Sequence, residues 1–157
     1  MSDDLRCYLP WVGVWTGTGE AQAGMNTLAR TEIFSAVMGK GIGFHFEAFD
    51  TEARILYHGV RAIVVPAPSG VVRAIAWSSI HGPLILEQTP DDEGVLALAG
   101  ESKAGNRISV TFVEEGPDEL LFMGYWRPPH SRPETDPPRM SIPLQRITPL
   151  QVPTPGS

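Results

Sequence analysis

The chain has 157 residues, of which 42% are hydrophobic and 19% charged, a balance typical of one folded domain. Its formal net charge of −6, without any cluster of Lys and Arg, excludes the basic surface that nucleic-acid binding needs. No apolar stretch is long enough for membrane insertion, and the acidic start lacks the apolar core of a signal peptide, so we expect a cytoplasmic protein. The single Cys7 excludes an internal disulfide and a cysteine-based metal site, and no metal site is predicted.

Short β-rich runs separated by turn residues occupy almost the whole chain. Ser2 can cap one short helical turn from Leu5 to Leu9, which Pro10 ends. The predicted strands follow at 12–22, 28–38, 41–50, 54–65, 70–79, 83–89, 94–102, 106–115, 118–127 and 139–148. Sequential strands joined by tight turns favour an all-β fold, an antiparallel up-and-down barrel of about ten strands, with a β-sandwich as the alternative. We expect one barrel domain over residues 1–148 and a disordered tail at 149–157.

One connection is too long for a hairpin turn. Residues 127–138 contain five prolines and separate the last two predicted strands. Loops of this length in compact domains are usually lids, binding loops or mobile excursions, and the sequence leaves these three options open.

The first strand carries the most informative pattern, Gly13-Val14-Trp15 followed by glycines at 17 and 19. An indole can plug one end of a small barrel, and the glycines share its face because side chains alternate along a strand. We expect a thin wall above the plug, which leaves room for a guest molecule. The alternative is a bulged edge strand in which Trp15 is an ordinary core residue.

The order and spacing of several short motifs give the chain a resemblance to a known family. It resembles the nitrobindin family of intracellular haem-binding β-barrels, which share their architecture with fatty-acid-binding proteins and lipocalins. The resemblance covers nearly the whole chain and rests on 13–19, Glu32-Ile33, Gly39-Lys40, His58, 66–70 and 144–147.

The resemblance implies a haem-ligating histidine in the last strand, but that position falls on Arg139. A guanidinium stays protonated and has no lone pair for iron. We therefore predict no cofactor. Haem held by atypical ligation remains an alternative, in which His130 would substitute if its loop folded over the barrel.

Six residues are the candidate ligand-binding set on the inner wall: His58, Ser78, Phe122, Trp126, Arg139 and Ser141. Alternation places Leu56 with His58 inside and Tyr57 outside, and Pro143 inside with Ser141. Arg139 could pair with a carboxylate, supplied by a ligand or by the protein itself, or it could extend to solvent at the rim. The protein candidates are Glu32, Glu47 and Glu87. His58 could equally be a hydrogen-bonded core histidine.

The resemblance also assigns a structural plug, in which Arg146 stacks on Trp15 beside Gly13. His45 and Glu47 alternate with two phenylalanines, so we expect these polar side chains outside the barrel. The reversed register would place them inside as an acid–base pair. His81 lies in a Gly-Pro turn, where we expect exposure.

These observations predict a binding protein that encloses a small hydrophobic or amphipathic molecule, which could carry a carboxylate. A lipocalin-fold cyclase or isomerase is the alternative, with His45, Glu47 and His58 as catalytic candidates. The apolar outer face formed by Leu121 and Met123, with Tyr125 beside them, predicts a homodimer.

Overall fold

The computed structural model describes residues 5–21, 24–68, 70–89, 93–129 and 139–147. A 3-10 helix, Leu5–Trp11, precedes the strands β1 (Gly13–Ala21), β2 (Met25–Ala36), β3 (Gly41–Asp50), β4 (Ile55–Pro66), β5 (Val72–Ser78), β6 (Gly82–Gln88), β7 (Val95–Glu101), β8 (Arg107–Gly116), β9 (Glu119–Arg127) and β10 (Met140–Arg146). They form a closed antiparallel barrel in chain order, with β1 paired to both β2 and β10. The predicted all-β up-and-down barrel and its N-terminal helical turn are confirmed, and the sandwich alternative is wrong. The helix does not end at Pro10, as expected, but continues through it to Trp11. His130, most of the proline-rich connection and the 149–157 tail lie outside the described residues.

Alternating burial explains why these segments form strands. On β5 the inner side chains are, as predicted, Val72, Ala74, Ala76 and Ser78. Trp77 lies on the outer face and is 64% exposed. Period-two alternation of this kind fits a sheet that buries one face against a core. In the described ranges no helix is long and apolar enough to cross a membrane.

One end of the barrel is closed by Trp15. Its ring is fully buried, and the Cζ atom of Arg146 lies 4.3 Å from the ring centroid, in cation–π contact. Arg146 also donates hydrogen bonds to the carbonyl of Val12 at 2.7 Å and to the carboxylate of Asp118 at 2.9 Å. At Gly13 φ is +148°, a backbone conformation that favours glycine, and an added Cβ would also lie 2.8 Å from the guanidinium of Arg146.

The 3-10 helix covers the same end. The indole N–H of Trp15 donates to the carbonyl of Trp11 at 2.8 Å, and the Trp11 indole donates to the carboxylate of Glu114 at 3.0 Å. The Tyr8 hydroxyl donates to the carbonyl of Val95 at 2.9 Å. These bonds tie the helix to β7 and β8 and seal this end against solvent.

Aromatic rings pack together in the barrel interior. Phe46 and Phe122 stack with their centroids 4.2 Å apart, and Phe112 contacts Phe122 and Phe44 at 5.3 Å each. All four side chains are buried. The predicted inward orientation of the β3 phenylalanines is confirmed.

The glycines of β1 serve another purpose than the one predicted. An added Cβ at Gly17 would lie 1.8 Å from the carbonyl oxygen of Pro143, and one at Gly19 would lie 2.7 Å from that of Ser141. The space beside these glycines is therefore filled by the backbone of β10, and the expectation that it is left for a guest is wrong. Close approach of two strands at the barrel seam is what requires glycine here.

The outer face of β9 is apolar, as expected. Leu121, Met123 and Tyr125 lie on that face, and each is partly buried. Ile75 and Ile85, which are paired across β5 and β6, are more exposed. The homodimer stays a prediction.

Candidate functional site

Polar side chains gather in and at the rim of the barrel end opposite Trp15. There β5, β9 and their neighbours deliver what we call the His58 cluster, which consists of His58, Ser78, His81, Trp126 and Arg139. Four of these five belong to the predicted ligand-binding set, so the structure brings those sequence candidates together.

A hydrogen bond of 3.2 Å joins Nε2 of His58 to the hydroxyl of Ser78. The same hydroxyl oxygen accepts the backbone N–H groups of Ile80 and His81 at 3.2 and 3.1 Å. With both lone pairs occupied, the hydroxyl has only its proton to offer to the imidazole. Nε2 of His58 is therefore the acceptor, and its proton lies on Nδ1.

The surroundings favour a neutral His58. Burial among apolar side chains, and next the proximity of His81, lower the pKa of His58 to about 4. The Phe46 ring lies edge-on to the imidazole, with 6.3 Å between centroids. At neutral pH His58 can therefore donate a hydrogen bond through Nδ1 but carries no charge.

His81 is the member of the cluster that sequence reasoning missed. We expected it to be exposed in its turn, but its ring stacks on Trp126 with 5.8 Å between centroids and lies 6.4 Å from the ring of His58. Partial burial lowers the pKa of His81 as well. The available signal was the serine three positions earlier, whose hydroxyl folds the turn back over the barrel.

Arg139 lies at the rim and not on the inner wall. Its Nε donates to the carbonyl of Trp126 at 3.0 Å, and its Cζ lies 5.1 Å from the Trp126 ring centroid. This geometry corresponds to the rim alternative for Arg139, although it keeps the guanidinium beside the cluster.

The inner face of β10 differs from the prediction. Met140, Ile142 and Leu144 are the buried side chains, so Ser141 and Pro143 lie on the outer face. Ser141 therefore does not line the interior. The prediction took its phase from Arg139, which precedes the strand and does not follow its alternation.

A β-bulge changes the inner face of β4. The register with β3 shifts between Ala48 and Phe49, which turns Tyr57 inward and leaves Leu56 exposed, opposite to the prediction for both residues. An extra residue in one strand reverses the alternation beyond it. The Tyr57 hydroxyl lies 2.7 Å from that of Thr27, so this pair is satisfied inside the barrel.

Among the described residues whose contacts are fully accounted for, two buried polar atoms have no hydrogen-bond partner. They are Nε1 of Trp126 and Oγ1 of Thr31, which is fully buried on β2 next to Trp15 and Phe46 in the ladder. Buried polar groups are nearly always paired, so both atoms need an explanation. Thr31 was missed in the sequence, although its alternation with Ala29 pointed to the inner face.

The other catalytic candidates lie apart from the cluster. His45 and Glu47 are on the outer face of β3, 3.9 Å apart, and Glu47 lies 3.9 Å from Arg30. The outward expectation is confirmed, and the reversed register is wrong. Within the described ranges, no group of three or more His, Cys, Asp or Glu residues could hold a metal ion.

No protein-family model matches the chain, and a search of the curated proteins finds no match either. The closed ten-stranded barrel is consistent with a calycin-like fold. The resemblance to nitrobindins therefore rests on the short motifs and on the architecture alone.

Proposed function

We propose that this protein binds a small hydrophobic or amphipathic molecule in the barrel end that contains the His58 cluster. The observation that carries the proposal is this cluster of polar groups in an otherwise apolar barrel, in which Nε1 of Trp126 is buried without a hydrogen-bond partner. Ligand sites in proteins are mostly apolar, with a few polar groups that orient the guest. The aromatic pair Phe46 and Phe122 supplies the apolar floor next to these groups.

Native mass spectrometry of protein purified from its own host tests this proposal. We expect a bound small molecule that is released on denaturation. Gly124→Leu should abolish it, because Gly124 lies on the inner face, where a Cβ meets nothing closer than 3.5 Å and the larger side chain would fill the interior. Gly59→Leu is the matched control, because Gly59 lies on the outer face of β4 between inward-facing neighbours. Protein that is always empty, and that also takes up no apolar probe, would contradict the proposal.

The residues present do not fit haem ligation of the nitrobindin type. Arg139 stands where the ligating histidine would be, and Nε2 of His58 is engaged by Ser78. We propose that the protein forms no stable haem complex through its last strand. A hemin titration should give no sharp stoichiometric Soret band, and a band abolished by His58→Leu would overturn this conclusion.

A further inference from the structure

Two N–H groups of the His58 cluster are left for a guest. Nε1 of Trp126 is buried without a partner. Nδ1 of His58 carries a proton, and no acceptor for it lies within hydrogen-bond distance in the described part of the chain. Both groups can only donate.

The described inner wall carries no permanent cation. Its buried members are apolar side chains with a few hydroxyls, and His58 is neutral at physiological pH. Arg139 directs its Nε to a backbone carbonyl at the rim and lays its face over the indole. An anion buried deeper in the barrel than Trp126 would lose its hydration and lie away from the Arg139 guanidinium, which makes its burial costly.

We propose that the part of the guest inside the barrel is uncharged and carries hydrogen-bond acceptors, such as carbonyl or ether oxygens, that pair with Trp126 and His58. This inference rests on the proposed function and gives the chemical class of its ligand. Carbonyl or ether oxygens of the guest can accept these N–H groups, and an acceptor at Nε1 of Trp126 would satisfy a donor that is otherwise buried without a partner. A carboxylate-bearing guest would have to keep its charged end outside, at Arg139.

Three naphthalene probes of similar shape separate these alternatives: acetylnaphthalene, ethylnaphthalene and naphthoate. The first carries a neutral acceptor, the second none and the third a charge. Calorimetric titration should show acetylnaphthalene binding about 3- to 10-fold more tightly than ethylnaphthalene, as expected for one or two net hydrogen bonds, and naphthoate binding most weakly. The infrared carbonyl stretch of bound, isotopically labelled acetylnaphthalene should shift to lower frequency, which reports the hydrogen bond directly in the wild-type protein.

Trp126→Phe and His58→Leu should each reduce the preference for acetylnaphthalene and diminish the infrared shift, with little change in ethylnaphthalene affinity. Trp77→Phe is the matched control, since Trp77 lies on the outer face. A merely structural role for Trp126 would weaken both neutral probes equally and would leave the carbonyl frequency unchanged.

The outcomes distinguish the two proposals. If none of the probes binds, the proposed function itself fails. If naphthoate binds most tightly, or if the carbonyl frequency does not shift, the barrel binds guests but the neutral-acceptor inference is wrong. Binding of both neutral probes with equal affinity in wild type would likewise refute it, and would leave water as the partner of the buried donors.

Discussion

Acidification should destabilise this protein through His58, and the size of the effect follows from its environment. The imidazole ordinarily has a pKa of 6.5, and burial lowers the pKa of His58 to about 4 in the folded state. As the pH falls below the pKa of His58 in the unfolded chain, the unfolded chain binds a proton at His58 and the folded chain does not. The stabilising contribution is therefore complete above the unfolded pKa and is lost as the pH falls toward the folded pKa. This lowering of the pKa of His58 on folding corresponds to about 3 kcal/mol in the free energy of unfolding, which is a large share of the stability of a typical domain.

Urea denaturation of wild type and His58→Gln, at about pH 7.5 and about pH 4, measures this difference. Glutamine cannot take up the proton, so the variant should lose about 3 kcal/mol less than wild type over this range. His45→Gln is the matched control, because it removes an imidazole from the outer face of the barrel and leaves the His58 cluster intact. His81 is the titratable group that the pKa of His58 responds to, and its own lowered pKa acts with the same sign, so the double variant should lose still less. Equal acid losses in wild type and His58→Gln would refute the reasoning.

Further substitutions test the architecture by equilibrium unfolding in urea. Gly17→Ala should lower the free energy of unfolding by about 2 kcal/mol or more, because its Cβ would lie 1.8 Å from a backbone oxygen. Gly59→Ala should be nearly neutral, because its Cβ would lie 4.0 Å from its nearest neighbour. Equal losses in the two variants would contradict the close approach of β1 and β10. Arg146→Gln should lower the free energy of unfolding by about 1–2 kcal/mol, because it removes the cation–π contact and the charged hydrogen bonds at the plug. Arg73→Gln should change it very little, because the ion pair of Arg73 is exposed. Similar losses in the two variants would argue against a stabilising role for the plug. Tyr57→Phe should cost about 1 kcal/mol if the hydroxyl bond at 2.7 Å is made inside the barrel, and no loss would place this side chain outside.

The fold could be predicted from local signals in the sequence, namely turn residues and alternating polarity along the strands. Most of the tight turns carry a glycine, proline or asparagine, and alternation in β5 runs without interruption from Val72 to Ser78. When all but one of the connections are short and every strand is antiparallel to the last, few arrangements other than a meander remain, and closure removes the edges. The ten strands were therefore predictable.

The site was predictable only in part, because side-chain direction depends on strand phase. The bulge that turns Tyr57 inward has no strong sequence signal, and one extra residue reverses the face assignments on one side of it, here those of Leu56 and Tyr57. The phase of β10 was inferred from Arg139, which lies before the strand begins, so Ser141 was assigned to the wrong face. His81 was missed because its position depends on a turn that folds back over the barrel, which alternation does not describe.

The pairing of β1 with β10 has a consequence for how the chain folds. The bond from Arg146 to the carbonyl of Val12 joins residues 134 positions apart, so the contact that seals the barrel is among the most distant in the sequence. Closing so long a loop costs entropy before any contact repays it, and topologies of this kind fold slowly. During synthesis β1 has no β10 to pair with until the final strand has been made. Trp15 lacks its contact with Arg146 for the same time. The nascent barrel therefore has an unpaired edge at β1 for most of its translation. Correct folding requires β10 to be synthesised and to pair with β1 before that edge pairs with another chain.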